Sequence, residues 1–93
     1  MWARVARFEG DPAEIDRRIE SVRPLLEPGG RPDELADAKF LLLVDPQSGA
    51  AIGVALFDSE EAMRRGDAVM NRGPGHAGSR SAVEFFEVPL HTL

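Results

Sequence analysis

The longest apolar stretch in this chain is broken only by a turn. It runs Phe-Leu-Leu-Leu-Val from Phe40, then Asp45-Pro46-Gln47-Ser48-Gly49, then Ala-Ala-Ile-Gly-Val-Ala-Leu-Phe up to Phe57. Both arms are apolar at every position rather than at alternate ones. A strand with one wet face alternates apolar and polar residues, whereas a strand covered on both faces does not. The pattern predicts a β-hairpin that needs cover on two sides.

Elsewhere the periodicity changes. Trp2–Glu9 is short and mixed, with Val5 and Phe8 between Arg4 and Arg7, and reads as a strand. Gly10-Asp11-Pro12-Ala13-Glu14 is a helix start: Asp11 suits the cap, Pro12 the first helical position, and Glu14 closes a capping box. Ile15, Ile19 and Val22 then recur at helical spacing until Pro24 ends or kinks the helix near Val22–Arg23. Leu25 and Leu26 are expected under the sheet, and Asp33–Ala38 as one further helical turn. Asp58-Ser59-Glu60-Glu61 reads as a second capping box with Asp58 as the cap. It opens a helix whose apolar stripe is Ala62, Met63, Gly66, Val69 and Met70, ending near Asn71 or Arg72. Gly73–Ser79, rich in glycine and proline, reads as a loop. Ser81–Val88 is a last strand, with Ala82, Glu84, Phe86 and Val88 on one face and Val83, Phe85 and Glu87 on the other.

The order β-α-β-β-α-β, with a faint repeat between its halves, describes an α+β, ferredoxin-like domain: a four-stranded antiparallel sheet carrying two helices on one face. Four strands of ordinary length present roughly 350 Å² on the other face, at the upper end of what one chain leaves as a single apolar patch. A two-fold dimer packed sheet against sheet is the simplest cover.

Composition narrows the function classes. The chain has 93 residues, enough for one domain spanning 1–93, with 43% hydrophobic and 29% charged residues. No apolar run approaches the about 20 residues of a membrane span, and the N-terminus has no basic region followed by an apolar stretch. There is no cysteine, so disulfide and thiolate chemistry are excluded and the expected compartment is the cytoplasm. A net charge of −5 with interleaved charges argues against nucleic acid as a partner.

Several segments carry a family resemblance. They are the opening Met-Trp-Ala-Arg-Val-Ala-Arg-Phe-Glu-Gly-Asp-Pro, the Leu-Leu-Leu-Val-Asp-x-x-x-Gly hairpin, the Leu-Phe-Asp-Ser-Glu-Glu-Ala helix start and the closing Val-Glu-Phe-Phe-Glu-Val. Together they resemble the dimeric α+β barrel superfamily, and within it small proteins of the antibiotic biosynthesis monooxygenase group. The resemblance implies a homodimer, a ligand between sheet and helices of each subunit, and no cofactor. Its haem-degrading branch combines an Asn, a His and a Trp around the pocket. Here the only Trp is Trp2 and no His precedes Asn71 in the second helix, so haem degradation is not expected.

Individual residues offer a little chemistry. His76, in the loop after the second helix, suits a general base, although an isolated loop histidine is the plainer role. Asn71 and Arg72 could donate to an oxygen anion, or simply end the helix. Arg4 shares a strand face with Trp2, Ala6 and Phe8, a pairing that suits an aromatic anion, or else Arg4 pairs with an acid and Trp2 packs at a dimer edge. Met63 and Met70 could line an adaptable apolar pocket, or belong to the core. Arg80 either starts the last strand as a solvated charge or closes a pocket. The two isolated histidines make no metal site, and neither a phosphate loop nor a nucleophile elbow is present. The expected function is binding of a hydrophobic or aromatic metabolite. The alternatives are a cofactor-independent monooxygenase using Arg4, Asn71, Arg72, His76 and Arg80, and a non-catalytic dimeric interaction module.

Overall fold

Strand β1 (Trp2–Phe8) runs through the middle of the sheet, flanked by β3 (Ala51–Phe57) and β4 (Arg80–Glu87), with β2 (Lys39–Val44) outside β3. The order β2-β3-β1-β4 makes every neighbouring pair antiparallel. Helix α1 (Ile15–Val22) follows β1 and helix α2 (Glu60–Arg72) follows β3. These elements come from a computed structural model that describes residues 1–27, 29–72 and 80–93, Arg72 by its backbone alone. The result is a small α+β fold with a four-stranded antiparallel sheet and two helices, compatible with a ferredoxin-like fold. The reading of residues 73–79 as a loop, and with it His76, lies outside the described residues.

The hairpin forms where the apolar run predicted it. Its turn is held by Asp45, whose carboxylate accepts the Gln47 amide at 2.9 Å and whose carbonyl accepts the Gly49 amide at 2.8 Å. The Gln47 bond, with help from Ser48, holds the Asp45 carboxyl below the usual carboxylate range. Gly49 has φ +79° and a β-carbon there would collide with the Asp11 and Pro12 backbone, so both conformation and space require glycine.

The helix starts depart from expectation in detail. Asp11 does cap, accepting the Ala13 amide at 3.0 Å, but the first turn, Pro12–Glu14, is a 3-10 helix. Glu14 pairs with Arg17. For α2 the cap is Ser59 rather than Asp58. The Ser59 hydroxyl accepts the Ala62 amide at 3.1 Å, because Glu60 is already the first helical residue and a cap side chain reaches two or three residues ahead. Helix α1 ends at Val22, as Pro24 predicts, and Arg23–Leu26 follows as a 3-10 turn, which places Leu25 against the core but leaves Leu26 exposed, not under the sheet as expected.

Side chains of Trp2, Arg4, Ala6 and Phe8 share the helix-bearing face with Ala51, Gly53, Ala55 and Phe57 of β3. The core forms at one end of this face, where Leu35, Ala38, Ala55, Phe57 and Met63 pack with Trp2, Phe40 and Val69. Leu35 and Met63 are wholly enclosed. Helix α1, by contrast, buries no residue. On the opposite sheet face Leu41 is 46% exposed, Leu43 51% and Phe86 46%, and the ion pair of Arg7 with Glu84 at 2.6 Å lies among them. No described helix is long and apolar enough to cross a membrane.

Gly66 is buried where α2 presses on the sheet, and a β-carbon there would sit 2.5 Å from Phe57 ring carbons. A glycine-to-alanine change inside a helix ordinarily gains about 1 kcal/mol. Here overpacking, costing about 1–3 kcal/mol, outweighs that gain. Gly66→Ala should therefore lower the urea midpoint of unfolding, whereas a raised midpoint would show that Phe57 yields freely.

Candidate functional site

A cavity of about 250 Å³ opens between α1 and the middle of the sheet. Its origin is local. The strand residues beneath it are Ala6, Gly53 and Ala55, which rise too little to meet the helix above. The chain around them supplies walls rather than filling: Phe8 and Phe40 from the strands, Val22 and Leu25 from α1 and the turn after it, Val69 and Met70 from α2. An apolar hollow of this kind loses packing contacts that a filled core would have, and a ligand can restore them.

Three arginines line this apolar space, Arg4, Arg18 and Arg80. Arg18 lies over the Phe8 ring at 4.5 Å from its centre. Arg4 is only 3% exposed, and its charge is met by α2: Nε donates to Asp67 Oδ1 at 2.7 Å and Nη2 to Asn71 Oδ1 at 3.2 Å. Arg80 Nη1 donates to the same Asn71 oxygen at 2.8 Å. One amide oxygen thus bridges two cations, and its orientation is fixed because a guanidinium only donates.

Arg80 reaches this place through an irregularity in β4. Val83 pairs with Ala6 and Phe85 with Arg4, on the helix-bearing face. Strict alternation would turn residue 80 to the other side. Instead the register shifts, Phe8 pairs with Arg80, and the Ser81 hydroxyl donates to the Arg7 carbonyl at 3.2 Å. Such a bulge re-aims a side chain, here toward α2 and the cavity.

The candidate residues are distributed as follows. Arg4, Asn71 and Arg80 come together at one corner, and Arg4 and Met70 line the cavity. Trp2 packs against the core beside the cavity, and Met63 is enclosed within that core. The Arg72 side chain and His76 lie outside the described residues. Asp67, Arg18 and Gly53 belong to the site and carried no motif. Asp67 had one available signal: it stands four residues before Asn71, on the same face of α2. Among the described residues no cluster of His, Asp and Glu could hold a metal ion.

In comparisons with known proteins, no protein-family model matches the chain and no curated protein matches it significantly.

The Arg4–Asp67 contact yields a stability test. Removing one member of a largely buried ion pair leaves the other charge stranded, while replacing both with apolar residues does not. Asp67→Ala should cost about 3 kcal/mol, and the double variant Arg4→Met/Asp67→Leu should recover much of that loss. Denaturant unfolding of the single and double variants measures both. Equal stability of the wild type and Asp67→Ala would show that Arg4 is satisfied without its carboxylate.

Proposed function

We propose that the protein binds a small hydrophobic or aromatic metabolite in the cavity between α1 and the sheet, and does so as a homodimer joined through its open sheet face. One observation carries the binding assignment: the apolar hollow above Ala6, Gly53 and Ala55 lies under a helix that buries none of its own residues. The fold leaves this space open where larger strand residues would close it. The dimer accounts for Leu41, Leu43 and Phe86, which a single chain exposes together on the side without helices. Apolar area of that kind is worth roughly 25 cal/mol per Å² when covered. A second copy meets it with the same surface, and Arg7 and Glu84 supply polar contacts across the join. This arrangement agrees with the resemblance to small dimeric α+β barrel proteins of the antibiotic biosynthesis monooxygenase group.

Cofactor-independent monooxygenation would use the same cavity, but it needs a group that takes a proton from the substrate. The described residues lining the cavity include neither a carboxylate nor an imidazole. The base candidate His76 lies outside the described residues, and the apolar hollow itself is what supports binding as the function proposed.

Gly53 supplies the test. A β-carbon at Gly53 meets only the Phe8 ring edge, at 3.7 Å, so a larger side chain grows into the cavity without a clash at its root. Valine also suits a strand better than glycine does. Gly53→Val should keep or raise the melting temperature and abolish binding of a neutral aromatic probe, 2-naphthalenemethanol, measured by titration calorimetry. Undiminished binding of the probe by this variant would place the ligand elsewhere.

A further inference from the structure

The apolar walls of the cavity describe most of a ligand, and the corner at Arg4, Asn71 and Arg80 describes its remaining end. We infer that this corner is a subsite for a single carboxylate, so that the ligand is a small aromatic or aliphatic monocarboxylate; the inference rests on the cavity reading given above.

Two observations carry it. The first is the state of Arg4. Its hydrogen bonds use Nε and Nη2, while Nη1 has no partner among the described residues. The side chain is 3% exposed and lines the cavity. Among the described residues only Arg31 Nε is a buried side-chain nitrogen without a partner, so Nη1 of Arg4 is a donor still open to the cavity, and an oxygen anion there can meet it. The second is the charge balance around Asn71. Asp67 offsets Arg4, but the partner of Arg80 is the neutral Asn71 amide, and Arg80 has no carboxylate partner among the described residues. The stretch of sequence from Arg72 to Ser79 contains no acidic residue either. The corner therefore holds one positive charge more than its acid balances, which matches one negative charge on a ligand.

The geometry favours a carboxylate over a rounder anion. Guanidinium groups present flat edges of paired donors that fit the two oxygens of a carboxylate. The bulge at Ser81 turns Arg80 onto the helix-bearing face, where Asn71 joins its guanidinium to that of Arg4. An asparagine suits this bridge because it accepts from both cations without neutralising either. An aspartate in its place would consume the charge that the ligand is to meet. With about 250 Å³ of space, the cavity suits an apolar part of one or two rings or a short chain.

The experiment compares two probes of one shape, 2-naphthoate and 2-naphthalenemethanol, by titration calorimetry at pH 7 on wild type, Arg80→Gln and Asn71→Asp. The wild type should bind the carboxylate at least about tenfold more tightly than the alcohol, as expected for hydrogen bonds to a charged group. Both variants should lose that preference and keep the affinity for the alcohol. Asn71→Asp preserves side-chain shape and adds an ion pair, so its melting temperature should not fall, and lost carboxylate binding in it cannot be ascribed to unfolding. Equal affinity of the wild type for both probes, or a preference unchanged in both variants, would overturn the carboxylate subsite while leaving the cavity as a binding site. Failure of both probes to bind the wild type at millimolar concentration would overturn the cavity reading and the subsite with it.

Discussion

Two helices can cover only one face of a four-stranded sheet, and in this chain both faces are apolar. Much of the structure follows from that constraint. On the helix-bearing side, Leu35, Phe57 and Met63 gather with Trp2 and Phe40 into a tight core under α2. Little apolar volume is left for the middle of the sheet, where Ala6, Gly53 and Ala55 stand under a helix whose residues are at most half-buried. The cavity is the consequence of placing small residues on the central strands and bulky ones at one end. On the other side Leu41, Leu43 and Phe86 remain exposed in the single chain.

Arg4 belongs both to the packing of the helix-bearing face and to the binding site proposed on it. A buried charge in a domain of 93 residues is costly, since total stability in such proteins is only about 5–15 kcal/mol. The cost is limited by Asp67 and Asn71, one helical turn apart on α2, which reach down to the same guanidinium. The contact fixes α2 over β1 and also sets a cation at the cavity wall. Under the proposed function, stability and binding would be coupled through one residue, and a ligand that satisfies the remaining donors of Arg4 would also strengthen the packing of α2.

Much of the fold could be read from the sequence, because hydrophobic periodicity and capping chemistry are local. The hairpin, α2 and the flanking strands fall within a residue or so of where Phe40–Phe57 and the Ala62–Met70 stripe put them, whereas α1 begins three residues after Pro12, behind a 3-10 turn. The cap of α2 went to Ser59 instead of Asp58, since two adjacent residues can both cap and only the helix start decides between them. Burial of Leu35 and exposure of Leu26 depend on how the loop before β2 returns to the sheet, which no local pattern encodes. The site was legible only in part. Arg4, Asn71 and Arg80 stood out as residue types, but their meeting depends on pairings 67 and 9 residues apart. It depends also on the bulge at Ser81, which reverses the side that alternation assigns to Arg80. Gly53 and Ala6 matter through what they leave empty, a property visible only once the helices are in place.

Covering the second sheet face is the claim on which the rest turns, because it decides which side of the sheet remains available to a ligand. The direct measurement is the mass in solution, by light scattering coupled to size exclusion at low micromolar concentration. A mass near twice the 10.1 kDa of one chain is expected, and it should return to that of one chain when Leu43 is replaced by lysine. A wild-type mass of one chain would contradict the account, leaving Leu41, Leu43 and Phe86 as an open surface and removing the dimer from the proposed function.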